Sequence, residues 1–318
     1  MKFHAVLVSL LLCCSLAAAQ SFPTKPIRWV IPSSPGGSAD AVTRVVANGV
    51  SAVLNQRVLP DNRPGASGNI GTDNVAKSPP DGYTWLMINN AQAANVSLYK
   101  NLTYDLLRDF TAVTQVDSSP HVVVVHPSLP AKSLADLVKL AKAKPGALDY
   151  ASAGLGTVTF LAAEIFKAQA GVNLRHVPYK GGGESLTSIV SGETIVYFSP
   201  LPVALPQMKS GRLRGLAVTS KQRVNLVAEL PTIAESGYPD YEFNLWNGLL
   251  VPAKTPKETV AAIHKAVLAA LHSPEVTKRM AEMSSNVVGS QPEAFAAFVK
   301  SEVDGIAKLV AKLHLQAQ

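Results

Sequence analysis

Cysteine is nearly absent from this 318-residue chain: there are two, Cys13 and Cys14, both close to its start. Downstream of them, disulfide staples, thiol catalysis and cysteine-held metals are excluded. The histidines fall in no His-x-His or His-Glu-x-x-His spacing, so a metal centre has no ligand set. Lys and Arg exceed Asp and Glu by a net +7, yet they are scattered, with no basic run and no aromatics interleaved. The concentrated footprint that nucleic-acid binding needs is therefore missing, although a mild positive field would help to collect small anions. Walker A and Gly-x-Gly-x-x-Gly signatures are lacking, since Gly65, Gly68 and Gly71 match the second only in spacing. A secreted α/β hydrolase would need a Gly-x-Ser-x-Gly elbow. Gly65-Ala66-Ser67-Gly68-Asn69 departs from that pattern and follows no strand directly. The reading thus contains no catalytic residue, no cofactor and no metal ligand.

What is present begins with an export leader. Lys2 supplies a positive start, residues 5–16 are apolar, and Ala17-Ala18-Ala19 is a small-residue cleavage site. The mature chain is expected to start at Gln20, without cysteine. The leader's apolar run is shorter than the ~20 residues of a spanning helix, and no later run reaches that length. Neither cysteine is preceded by the small residue that lipidation sites usually require. A soluble protein outside the cytoplasm follows as the expectation.

Beyond the leader, strand-like and helix-like stretches alternate. Residues 27–31 form an apolar run closed by Pro32, as a buried parallel strand would. Asp40 is placed to cap a helix reaching about Leu54, along which Val42, Val45, Val46, Val50 and Val53 recur at helical spacing. Strands are read at 58–59, 83–88, 122–125, 148–151, 194–198, 213–218 and 246–251. Helices are read at 68–77, 134–142 behind Ser133, 158–169, after Gly181-Gly182-Gly183, after Pro256, and along the row Phe295, Phe298, Ile306, Leu309 and Leu313. His264, His272 and His314 fall on helices as surface or capping residues. Such alternation indicates α/β layers with mostly parallel sheets. Crossings near 113–122 and 219–230 divide the chain into a discontinuous first lobe, 20–117 with 226–318, and a second lobe, 118–225.

The most informative feature is a pair of glycine-rich turns, Pro35-Gly36-Gly37-Ser38-Ala39-Asp40 and Ser152-Ala153-Gly154-Leu155-Gly156-Thr157. Each lies between a strand and a helix. A helix start offers unpaired N–H groups and a positive dipole end, and glycine lets a ligand approach the backbone. One turn in each lobe suggests a cradle around an anion, although the second could also be a plain strand–helix connection.

Several motifs, in their order and spacing, resemble one family through nearly the whole mature chain. They are Pro35-Gly36-Gly37-Ser38 with Asp40, Asn62-Arg63-Pro64-Gly65-Ala66-Ser67-Gly68-Asn69-Ile70-Gly71 and Pro80-Asp81-Gly82-Tyr83-Thr84. They continue with Ser152-Ala153-Gly154, His176-Val177-Pro178-Tyr179-Lys180-Gly181, Leu216-Ala217-Val218-Thr219-Ser220, Pro231-Thr232-Ile233-Ala234-Glu235-Ser236-Gly237 and Trp246-Asn247-Gly248-Leu249-Leu250. The chain is similar to the substrate-binding receptors of tripartite tricarboxylate transporters, the Bug-type periplasmic proteins.

That resemblance implies a type II periplasmic binding protein, two α/β lobes around a central cleft. It would capture a di- or tricarboxylate or an aromatic acid and pass it to membrane permease subunits. It would do so as a monomer in the periplasm, without chemistry of its own. A receptor that signals to a membrane sensor kinase is the alternative. Carried over by motif, one carboxylate would meet Ser33, Ser34, Gly37 and Ser38, and a second would meet Ser152, Gly154, Gly156 and Thr157. Asn90, just past a strand end, is placed as a donor facing the cleft. Asp40 reads better as a helix cap than as a contact, because it would repel the ligand. Gly181-Gly182-Gly183 either contacts ligand or only lets the chain pass near the cleft, with Tyr179 and Lys180 bracing it. The chain departs from the family pattern at Ser33 (an aromatic expected), Phe160 (a histidine), Ser188 (an aspartate) and Ser199 (an acid or amide). Ser188 and Ser199 are therefore the specificity candidates, and the lost aspartate favours an acid without an amine.

Overall fold

The computed structural model describes residues 22–312; the leader read at 1–19, the expected start at Gln20, Leu313 and His314 lie outside them. Strand β1 (Ile27–Ile31) is almost wholly buried and pairs in parallel with β2 (Val58–Asn62) and β3 (Thr84–Asn89). Helix α1 (Ser38–Leu54) links β1 to β2, burying Val42, Val46 and Val50 along the helical repeat visible in the sequence. Helix α2 (Asn69–Ala76) links β2 to β3. Helix α3 (Asn90–Leu98) follows β3 at once, started by a reciprocal cap between Asn89 and Gln92.

Strand β4 (Phe110–Val125) belongs to two sheets. Up to Pro120 it pairs with β9 (Asn244–Pro252), which in turn pairs with β3; from His121 it pairs with β7 (Val196–Pro200). The second sheet also holds β8 (Arg214–Val218) on β4, and β5 (Asp149–Ser152) between β7 and β6 (Arg175–Pro178). Pairing is parallel within β1–β3 and within β5–β7, where helices make the crossovers, and antiparallel wherever β4 or β9 takes part. The short β10 (Asn286–Val287) adds to β4 on the first sheet. Residues 113–122, expected as a crossing, carry the chain from the first sheet to the second within one strand whose ladder shifts register on the way.

Helices α4 (Leu134–Ala143), α5 (Val158–Ala170), α6 (Gly182–Ser191) and α7 (Leu201–Lys209) cover the second sheet. Ser133 and Asp136 form the cap that starts α4. Helices α8 (Lys257–Leu271), α9 (Pro274–Glu282) and α10 (Pro292–Lys312) return to the first sheet, α8 packing on α1 and α10 on α3 and β4. His264 is not the surface residue expected of α8: it is buried, with Nε2 3.0 Å from the Ser290 carbonyl. The apolar face of α8 turns inward at that position, and the loop before α10 closes over it.

One apolar cluster runs across both sheets, from Val30, Leu86 and Trp246 to Phe160, Phe166 and Phe198. Residues after β8 stay with the second sheet. Val227 and Leu230 join its core, and the Tyr241 hydroxyl donates to the Ala162 carbonyl at 2.9 Å. The chain re-enters the first sheet where Phe243 N–H donates to Thr219 O at 3.0 Å, just before β9.

Candidate functional site

The first glycine turn joins β1 to α1. Gly37 is the N-cap residue, without a side-chain cap, and the first helical bond runs from Ala41 N–H to Gly37 O. Ser38, Ala39 and Asp40 therefore present N–H groups with no carbonyl behind them in the helix. Asp40 does not sit at the cap position. Its carboxylate reaches back from the first turn to accept the Gly36 N–H at 3.0 Å and the Asn62 amide at 3.0 Å, and pairs with Arg44 at 2.9 Å. Burial alone would raise its pKa, but the bonds from Arg44, Gly36 and Asn62 prevail and hold it below the ordinary value. Asp40 thus shapes the turn. Ser33 Oγ is buried with no partner among the described residues, whereas Ser34 is exposed.

The second turn joins β5 to α5 and has more internal bonds. Ser152, fully buried, accepts the Gly154 N–H at 3.0 Å, and its Oγ lies 2.6 Å from His176 Nε2. Burial lowers the His176 pKa to about 4, which leaves a ring nitrogen able to accept the serine proton. This serine–imidazole pair lies on adjacent strands and is invisible in sequence spacing. No carboxylate bonds to the ring's other nitrogen among the described residues, so the pair locks the turn and lacks a triad's third member. Thr157 is the N-cap of α5, its hydroxyl donating to Gly154 O at 2.6 Å. The Ser152 hydroxyl and the Gly154 N–H, expected to meet ligand, are therefore already engaged. The open donors are the first N–H groups of α5, because Leu161 N–H makes its first helical bond, to Thr157 O.

The third turn starts α6 at Gly181, with Ser185 N–H bonded to Gly181 O. Beside it stands Tyr197, fully buried; its hydroxyl has no partner among the described residues and lies 3.8 Å from where a Cβ on Gly182 would be. Sequence reasoning does not find Tyr197, because a tyrosine in an apolar strand reads as core.

Residues of the first sheet's side meet these turns across a gap. Ser34 Oγ is 4.0 Å from a Cβ built on Gly181, so the first and third turns face each other. Ser67 Oγ donates to Leu155 O at 3.2 Å and accepts from the Tyr99 hydroxyl at 2.9 Å. Gly156, at φ +74°, lets Leu98 approach: a Cβ there would stand 2.7 Å from Leu98 Cδ1 and 3.5 Å from Asn95 Oδ1. Asn95 is fully buried. Its amide donates to Ser67 O and Asn69 Oδ1, while Oδ1 lacks a partner among the described residues. Ser33 Oγ, Asn95 Oδ1 and the Tyr197 hydroxyl are thus unpartnered buried atoms, one beside each turn. Such atoms are costly unless something completes them.

Three further predicted residues are engaged by bonds to their neighbours. Asn90 does not meet the glycine turns: its amide donates to Asn244 O at 3.2 Å and Glu302 Oε2 at 3.4 Å, and its Oδ1 accepts the Trp246 N–H. As the first residue of α3 it stitches that helix to β9 and α10. The Ser188 hydroxyl is shared between Ser185 O and Thr194 Oγ1 at 2.9 and 2.8 Å. Ser199, fully buried in β7, donates to Pro200 O at 3.1 Å. Both serines are tied to their own lobe by short-range bonds that any serine there would make.

Two α/β lobes sharing a strand, each turning helix N-termini toward the gap between them, define the class of solute-binding receptors. The profile of the tripartite tricarboxylate transporter family receptors matches residues 42–315, and the chain belongs to that family. It is similar to the solved periplasmic binding protein BugD, with a TM-score of 0.88 and 31% identity over 93% of this chain and all of the other. It is also similar to Rpa4515 of R. palustris, solved with adipate, with a TM-score of 0.89 and 34% identity over 93% of this chain and 100% of that one. MatC of Rhodopseudomonas palustris, with bound malate, gives a TM-score of 0.85 and 27% identity over 91% of this chain and 100% of its own.

Proposed function

We propose that this receptor works in the periplasm, closing its lobes on a small carboxylate and delivering it to the membrane permease subunits of its transporter. The observation that carries the reading is the meeting of the turns across the gap. Ser34 stands opposite Gly181, and Ser67 bonds to Leu155. From the open N–H groups at the three helix starts an anion can draw charge-assisted bonds worth ~1.5–3 kcal/mol each. After desolvation and ordering costs, two or three such bonds per carboxylate suit roughly micromolar affinity. Adipate and malate in two solved relatives support a dicarboxylate. Ser188 stands where the family pattern leads to an aspartate, leaving no carboxylate at that position to pair with an ammonium, so an acid without an amine is favoured. The lobes divide at Pro120/His121 and at Phe243/Asn244, where β4 changes partner and β9 begins.

A thermal-shift screen of the purified protein against adipate, malate, glutamate, benzoate and a neutral sugar tests the reading. An acid at ~100 times its dissociation constant adds ~2.7 kcal/mol of stability. A shift with adipate or malate, larger than with glutamate, is expected. A shift with the sugar and none with any acid overturns the proposal.

A further inference from the structure

A cavity of about 440 Å³ lies at the boundary between the lobes, and no residue of the three glycine turns lines it. Leu161 and Ile165 of α5 form one wall; Phe298 and Ile306 of α10 form the other, with Trp246 between them. Glu302 stands among these side chains. Its Oε2 accepts the Trp246 indole N–H at 2.6 Å and the Asn90 amide at 3.4 Å, while Oε1 accepts no hydrogen bond among the described residues. No Lys, Arg or His lies within ion-pair distance of it among those residues, and none lines the cavity, although Glu242 does. Burial raises the pKa of Glu302, and the indole bond only partly offsets it. A half-buried carboxylate with two neutral donors, one free oxygen and no counter-charge is electrostatically incomplete.

We infer that this cavity is a binding site for a small organic amine, whose ammonium group completes Glu302 while its apolar body lies against Leu161, Ile165 and Phe298. The volume falls within the ~300–1,000 Å³ of small-molecule sites. The partly exposed ring of Phe298, held edge to face against the buried Trp246 indole at 5.3 Å, borders the cavity, and an aromatic face there favours a cation. An anion, by contrast, would meet two carboxylates and no positive side chain. The glycine turns present the opposite chemistry, so the two sites do not compete for one ligand.

The test is calorimetric titration of the full mature protein with 2-phenylethylamine, and with 2-phenylethanol as its uncharged match. Saturable amine binding is expected, with the alcohol at least tenfold weaker and Glu302→Gln at least tenfold weaker for the amine. The glutamine keeps an oxygen for the Trp246 N–H, which guards the fold. Should that variant fail to fold, Ile165→Arg places a guanidinium in the cavity and is expected to abolish amine binding while melting as a folded protein. Equal binding of amine and alcohol, full amine affinity in either folded variant, or no saturation by the amine overturns the inference.

Discussion

Ser67 and Leu155, 88 residues apart, are joined by a hydrogen bond from the Ser67 hydroxyl to the Leu155 carbonyl. This bond ties the loop before α2 to the second glycine turn and exists only while the lobes are together. Ser67 is held for this role at φ 53°, in the left-handed region, where a side chain costs of order 1 kcal/mol. Removing the hydroxyl in Ser67→Ala should weaken carboxylate binding about fivefold, the equivalent of one net hydrogen bond of ~1 kcal/mol. Ser67→Gly should share that loss but melt higher than the alanine variant, because it relieves the backbone. Calorimetry and thermal melts of the three proteins decide the matter; unchanged affinity in both variants removes the latch.

Gly156 tests closure from the other side. A methyl group there meets Leu98 Cδ1 at 2.7 Å, and φ +74° disfavours any side chain. Gly156→Ala should lower carboxylate affinity at least tenfold while costing ~1–2 kcal/mol of stability. Adding Leu98→Ala removes the obstructing atom and should recover part of the affinity. Small-angle scattering of Gly156→Ala with saturating adipate should show a larger radius than the native protein gives. No difference in either affinity or radius would mean that the two residues do not meet in the liganded state.

Tyr197→Phe removes a buried hydroxyl that no described residue satisfies. The empty receptor should therefore melt as high as the native protein or higher, since an unsatisfied buried polar group costs ~1–3 kcal/mol. Carboxylate affinity should fall, about fivefold if one hydrogen bond to ligand is lost. A variant with lower stability and full affinity would make the hydroxyl a structural group.

Asp117 and His121, both fully buried on β4, give stability opposite dependences on pH. Burial pushes the Asp117 pKa up to about 6 against the bonds from Ser285 and Asn247, and pushes that of His121 down to about 3. A carboxyl whose folded pKa is raised contributes stability that is complete below pH 3.8 and is lost as pH rises through about 6. An imidazole whose folded pKa is depressed contributes stability present above pH 6.5 and lost as pH falls toward about 3. Asp117→Asn keeps an acceptor for the Asn247 amide and turns its own amide toward the Ser285 hydroxyl, which changes from donor to acceptor, so only the first dependence is removed. It should gain up to about 3 kcal/mol over the native protein at pH 8 and lose that advantage by pH 4, unmasking a steeper acid decline. Melting temperatures from pH 4 to 8 measure this; a constant offset would show that Asp117 binds no proton there.

The sequence makes the backbone of the site legible more readily than its side chains. Helix starts after glycine turns declare themselves through Gly36-Gly37, Gly154 and Gly181; of these, Gly36 and Gly154 hold the left-handed backbone that favours glycine, at φ 85° and 117°. The row Val42, Val46 and Val50 likewise reveals α1 through its period. Helix α3 is hidden because it is buried nearly all round and shows no apolar stripe. The long run of β4 is hidden because its two halves face different partners. Asn90 looks like a free donor until Trp246 and Glu302, more than 150 residues away, turn out to surround it. The Ser152–His176 pair and the Ser67 latch are equally non-local, set by strand order and lobe contact and not by any spacing along the chain.

Strand β4 carries a mechanical consequence. It is a single spine running through both halves of the molecule, with offsets in its ladder at Ala112/Thr114, Gln115/Asp117 and Val123/Val124. Any turning of one half against the other must therefore pass through this spine and through the second connection at Phe243/Asn244, and the offsets are the places where the spine's ladder is weakest.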